Sequence, residues 1–148
     1  MKSIIYEFDP VIYPFPLLVS KQFDIHELRD RFYVALNKED VAPIEHELDK
    51  SPTRTAVTML VVEKRTSKVF FLVLFYQLNR INVGIIAHEA FHVNTMNCDF
   101  LGIGPAVPNN DEPQAYFVQW AADCVNSVLK NRQDELNAKR FGNEDEKV

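Results

Sequence analysis

The chain predicts an α+β domain, an antiparallel sheet with helices packed on one face, and three observations lead there. Two β-branched and aromatic runs, residues 55–63 (TAVTMLVVE) and 69–77 (VFFLVLFYQ), are joined by a short polar linker at residues 64–68 and read as a hairpin. Segments with apolar residues three and four apart lie on both sides of that hairpin. With 148 residues, 47% hydrophobic and 25% charged, the chain is long enough for one sizeable core and too short for two. We therefore expect one domain over residues 1–142 and a charged, solvated tail over 143–148.

Taken in order, residues 3–8 predict a short strand. The stretch after it is punctuated by Pro10, Pro14 and Pro16, which makes the following Leu17, Leu18 and Val19 an edge or irregular strand. Asp24 has the character of an N-cap, with Glu27 completing a capping box. The helix expected from 25 to about 37 would align Ile25, Leu28, Phe32 and Leu36 in one stripe. Residues 38–52 are polar, contain two prolines and predict a loop with at most a short helical turn. The run at 69–77 is apolar on both faces, which predicts a central, covered strand. A helix is expected over 82–94, a Gly- and Pro-containing loop over 98–110, and a last helix from 111 to 130 or beyond, with Pro113 tolerated in its first turn.

Charge and composition exclude several classes. A net charge of -5 gives no basic face for nucleic acid. No apolar run is long enough to cross a bilayer, and the N-terminus shows neither a long apolar stretch nor a small-residue cleavage site, so a cytoplasmic protein is expected. Cys98 and Cys124 are too few for a disulfide framework and predict reduced, buried thiols.

The chemistry sits in His88-Glu89-Ala90-Phe91-His92, which fits H-E-x-x-H. Residues four apart lie about 40° apart around a helix and one turn up, so both imidazoles point the same way and can share one ion at about 2.0–2.1 Å. Glu89 projects beside them, where it can take a proton from water on the ion. Val83, Ile86, Ala90 and Val93 fall on the opposite side, a stripe able to dock on a core. The alternative is two polar histidines on a surface helix, which so apolar a segment argues against. Zinc is the expected cofactor.

A catalytic zinc site needs a third protein ligand, and there are two candidates. Glu112 begins the last predicted helix, 20 residues after His92. Cys98 stands where a third histidine would extend the motif, but Thr95 replaces the glycine that such an extension needs for its bend. With Glu112, over residues 82–125, the chain resembles the gluzincin branch of the zincin metallopeptidases, in which H-E-x-x-H is followed after a loop by a helix bearing a glutamate ligand. The acid-x-x-Ala-Tyr pattern at 112–116 is also similar to small zincin-like proteins of phages and mobile elements. The resemblance implies a small zincin-like domain whose C-terminal helix carries the third ligand, a peptide or protein substrate laid along the sheet edge, and Glu89 as general base. Tyr116 stands where some relatives place an acid; it is a candidate to stabilise the oxyanion, the alternative being a packing role. Asp111 and Asp123 are candidates to orient the histidines. Glu112, Tyr116, Gln119 and Asp123 share one helix face, from which they could reach a metal.

Other residues carry less. His26 and His46 stand alone, Phe117 and Trp120 are at core spacing, and Arg54, Lys68 and Lys139-Arg140 make no patch. A second expectation from the resemblance is a non-catalytic zincin fold serving as a subunit of a larger assembly such as a phage particle; a third is a regulator that cleaves one partner, acting in a host cytoplasm.

Overall fold

The computed structural model describes residues 2–49 and 53–145, with side chains described as far as Lys130. Six strands form one mixed sheet: β1 (Ile4–Phe8), β2 (Leu17–Gln22), β3 (Phe32–Ala35), β4 (Val41–Pro43), β5 (Ala56–Glu63) and β6 (Val69–Phe75), in the order β1-β2-β6-β5-β3-β4. Among the described residues four α-helices accompany them: α1 (Ile25–Arg31), α2 (Glu45–Leu48), α3 (Val83–Leu101) and α4 (Glu112–Asp145).

The β5–β6 hairpin is the expected one, in register from Ala56↔Phe75 to Val62↔Val69. The sheet is not purely antiparallel, however. β2 lies parallel to β6, Leu17 opposite Phe71 and Ser20 opposite Leu74. Nor are the helices confined to one face. Phe71, Val73 and Phe75 of β6 pack in a core with Ala90 and Val93 of α3 and with Phe117, Ala121, Val125 and Val128 of α4. Phe70, Leu72 and Leu74, alternating with them, pack in a second core with Leu28 of α1 and with Ile44 and Leu48 at α2. A strand apolar on both faces is satisfied only by cover on both faces, which places β6 at the centre of the sheet.

Asp24 caps α1 as expected, accepting from the backbone N–H groups of His26 and Glu27. Glu27 does not close the box: it accepts instead from the Ser3 N–H at 2.7 Å, tying α1 to the N-terminal strand. The helix stops at Arg31, six residues before the expected end. Phe32-Tyr33-Val34 has strand-forming side chains and pairs with Val61, Val62 and Glu63 of β5, so sheet pairing overrides helical spacing. Leu28 and Phe32 are buried, whereas Ile25 and Leu36 are exposed. The loop expected over 38–52 contains β4 and α2.

Asn82 caps α3 by accepting from the Ile85 N–H. The helix runs seven residues beyond the expected Asn94 because nothing breaks it before Gly102. That residue takes the left-handed conformation (φ 69°), which glycine adopts without cost, and donates back to Asp99 and Cys98. Cys98 thus lies in a helix, half-buried, while Cys124 is buried as expected. The α4 backbone continues to Asp145, through the first part of the expected tail; residues 146–148 lie outside the described residues. Among the described residues no helix is long and apolar enough to cross a membrane.

Candidate metal centre

Burial of Glu89, Ala90, Val93, Asn94 and Asn97 sets the rotation of α3. His88 and His92 then fall on its exposed flank, with Glu89 between them and the sheet. The two imidazoles meet: His88 Nε2 and His92 Nε2 are 3.0 Å apart, with ring planes at 80°. Val83, expected on the docking stripe, is 83% exposed, while Ala90 and Val93 of the same stripe are buried and Ile86 is half-buried.

Glu89 is only 5% exposed. Its Oε2 accepts a 2.5 Å hydrogen bond from the Thr58 hydroxyl on β5. Thr58 is on the sheet face that α3 covers, and a hydroxyl there has little choice but to bond to the helix above it. This partnership was missed in the sequence, although Thr58 is the one polar side chain in the middle of an apolar strand and on a covered face must find an acceptor. Glu89, His88 and His92 form one wall of a cleft of about 430 Å³, whose opposite wall includes Arg54, Ala56 and Thr58.

The cleft runs along an open sheet edge. β3 pairs with β5 only at Val61, Val62 and Glu63, after which the chain turns away, Leu36 donating to the Asp40 carbonyl. Among the described residues, positions 56–60 of β5 pair with β6 alone.

The other expected site residues stand apart. Glu112 and Tyr116 are exposed, Tyr116 at 66%, and neither lines the cleft. The cause is the rotation of α4: with Phe117, Ala121, Cys124, Val125 and Val128 buried, the face carrying Glu112, Tyr116, Gln119 and Asp123 lies about 150° around the helix and points to solvent. Asp111 is likewise exposed. Cys98 donates to the Asn94 side-chain oxygen at 3.7 Å, and burial pushes its thiol pKa up. His26 and His46 are exposed and far along the chain from the pair.

One contact does bring the start of α4 to α3. The side chain of Asn94, two residues past His92, donates to Gln114 Oε1 at 3.1 Å; Gln114, two residues past Glu112, donates in turn to the Gly104 carbonyl at 3.1 Å. This amide pair, Asn94 buried and Gln114 half-buried, links both the 102–111 loop and the first turn of α4 to α3.

Two imidazole nitrogens bound tetrahedrally to one zinc at about 2.0–2.1 Å stand about 3.3 Å apart. The observed 3.0 Å lies within a few tenths of an ångström of that spacing. The pair therefore fits half of a zinc site. Among the described residues no group of three His, Cys, Asp or Glu is gathered closely enough to complete one.

No family model matches the chain, and neither a curated protein nor a solved structure is significantly similar to it.

Proposed function

We propose that this protein is a minimal zinc-dependent peptidase of the zincin type. The observation that carries the reading is the 3.0 Å convergence of His88 and His92 Nε2 atoms beside a buried glutamate, on a helix lying over an open strand edge. His88 and His92 hold the ion. Glu112, in the turn of α4 that Gln114 ties to Asn94, is the candidate third ligand and reaches the ion only if α4 turns its exposed face toward α3 on metal binding. Zinc held there supplies Lewis acidity toward a peptide carbonyl and toward water.

The chain's own residues do the rest. An extended peptide adds as a strand beside positions 56–60 of β5, its backbone satisfied by the unpaired edge. Glu89 accepts the proton of the attacking water at its carboxylate and delivers it to the departing amine nitrogen, so that one group serves as base and then acid. Thr58 fixes the carboxylate's direction through the 2.5 Å bond. Tyr116, one turn after Glu112, is the candidate partner for the oxyanion, reached only if α4 presents that face on metal binding.

The test is a comparison of wild type and Glu89→Gln, both supplied with zinc, on a broad peptide pool. Equal zinc uptake with cleavage reduced at least about 100-fold in the variant supports the reading. A wild type that takes up no zinc, or a variant that cleaves as well as wild type, ends it.

A second reading is favoured by the missing third ligand among the described residues. In it the domain is a non-catalytic zincin fold acting as a subunit of a larger assembly, such as a phage particle. The exposed side chains of Val83 (83%) and Phe91 (61%) on the outer flank of α3 would then be contact points. Zinc-loaded wild type that cuts nothing in the pool, while eluting as a defined oligomer, favours this alternative.

A further inference from the structure

Arg54 stands out among the cleft residues because, among the described residues, no ion pair or hydrogen bond engages its guanidinium. It lines the same cleft as His88, Glu89 and His92. The described ion pairs engage Arg29 with Asp30 and Glu45, and Arg31 with Glu63, and none engages Arg54. Its guanidinium makes no hydrogen bond among the described residues either. Burial raises the pKa of the half-buried Tyr76 hydroxyl, and the charges of Arg54 and Asp49 act on it in opposite senses. In a chain with 21 acidic and 16 basic residues, a half-buried arginine with no acid of its own is the exception.

Direction follows from the strand. Arg54 precedes Thr58 by four residues, at most about 13 Å along the chain. β5 is antiparallel to both of its neighbours. β3 points its C-terminal end toward the start of β5, and a segment added farther along the same edge in that sense also runs with its C-terminus toward Ala56 and Arg54. A guanidinium offers a planar fork of donors that matches a carboxylate in two parallel bonds.

We propose that Arg54 determines specificity by binding a carboxylate of the polypeptide in the cleft, on the C-terminal side of the bond that faces Glu89. The carboxylate comes from an Asp or Glu side chain or from the peptide's own C-terminus. This rests on the peptidase reading, and it adds what that reading leaves open: a preference for acidic or short C-terminal segments.

The test uses the full chain, zinc-loaded and carrying Glu89→Gln, so that binding is read without cleavage. The probes are dye-labelled synthetic peptide pools with Glu or Gln at one position, each with a free or amidated C-terminus, and the readout is fluorescence anisotropy. A carboxylate-bearing pool is expected to bind about tenfold more tightly than the neutral amidated pool, a difference erased by Arg54→Gln and partly restored by Arg54→Lys. The internal-Glu and free-terminus arms show which carboxylate is bound. Equal binding of all pools, no binding of any, or a preference unchanged by Arg54→Gln overturns the proposal. Wild-type cleavage of the same pools separates the two ideas: cutting without acid preference sinks the Arg54 assignment and leaves the peptidase reading standing.

Discussion

Thr58 and Glu89, 31 residues apart in the chain, are joined by a 2.5 Å hydrogen bond in which the threonine hydroxyl donates to the carboxylate. The bond fastens α3 to β5 at the level of the two histidines, and it satisfies a carboxylate only 5% exposed. Removing the donor while keeping the shape leaves that carboxylate short of a partner. Thr58→Val is expected to lower unfolding stability by about 1–3 kcal/mol. In a Glu89→Gln background the same change should cost measurably less, because the two side chains share one interaction. Urea denaturation of the four proteins checks this; additive losses would show that the bond contributes nothing specific.

Zinc should stabilise the fold through the histidine pair. A ligand that binds the native state alone contributes about 2.7 kcal/mol at a free concentration 100 times its Kd. Differential scanning fluorimetry is expected to show zinc raising the Tm of wild type, with EDTA reversing the rise. The His88→Ala/His92→Ala protein should show no such response. An equal rise in both would place the ion elsewhere.

The Asn94–Gln114–Gly104 chain of hydrogen bonds makes a separate prediction. Gln114→Ala should leave Asn94 partly unsatisfied and free the loop at residues 102–111. Limited proteolysis is expected to cut that loop several-fold faster. Amides near Val125, buried in the core, should exchange as in wild type. Unchanged cleavage would mean that the loop is held by something else.

Glu63 predicts the response to acid. It accepts from Thr66 Oγ1 at 2.7 Å and from Arg31 Nε at 2.8 Å, and these bonds hold its carboxyl below the ordinary glutamate pKa. A depressed folded-state pKa contributes stability above the unfolded value that is lost as pH falls through the folded one. Stability should therefore decline as pH drops through the carboxylate range, with a smaller decline in Glu63→Gln. That variant should be about 1–2 kcal/mol less stable at neutral pH, the modest figure reflecting an Arg31 side chain 45% exposed.

The two thiols should separate by reactivity. Burial, with Asp123 adding to it, pushes Cys124 up to about 11, so at pH 8 only about 0.1% is thiolate. Cys98 is raised by burial as well, but it is only half-buried. Alkylation at pH 8 followed by peptide mapping should label Cys98 first, and Cys124 only when the chain unfolds.

The hairpin, the cap at Asp24 and the histidine pair were legible because each is set by neighbours in sequence: a turn, a first helical residue, a four-residue spacing. What was not legible depends on partners far away. Phe32-Tyr33-Val34 sits at helical spacing from Leu28, and only β5 draws it into the sheet. The parallel pairing of β2 with β6 leaves no local signal, so the sheet was expected to be antiparallel. At the site, the H-E-x-x-H residues lie on one helix and needed only its periodicity. Glu112 and Tyr116 were assigned through the resemblance to gluzincins, whereas the rotation of α4 is fixed by Phe117, Ala121 and Val125, whose burial turns the acid face outward. Thr58 could have been found by asking what a hydroxyl on a covered strand face bonds to.

The parallel union of β2 and β6 also bears on how the molecule comes together. Leu17 lies opposite a residue 54 positions later, so the first two strands, which pair with each other, have nothing to join on the far edge of β2 until the central hairpin has been synthesised and closed. Local hairpin closure takes microseconds, whereas joining distant strands waits on a large loop-closure entropy. A nascent chain is thus expected to form β5–β6 first and to recruit its own beginning last, and during that interval one edge of β6, among the most apolar segments in the sequence, is open to any other strand it meets.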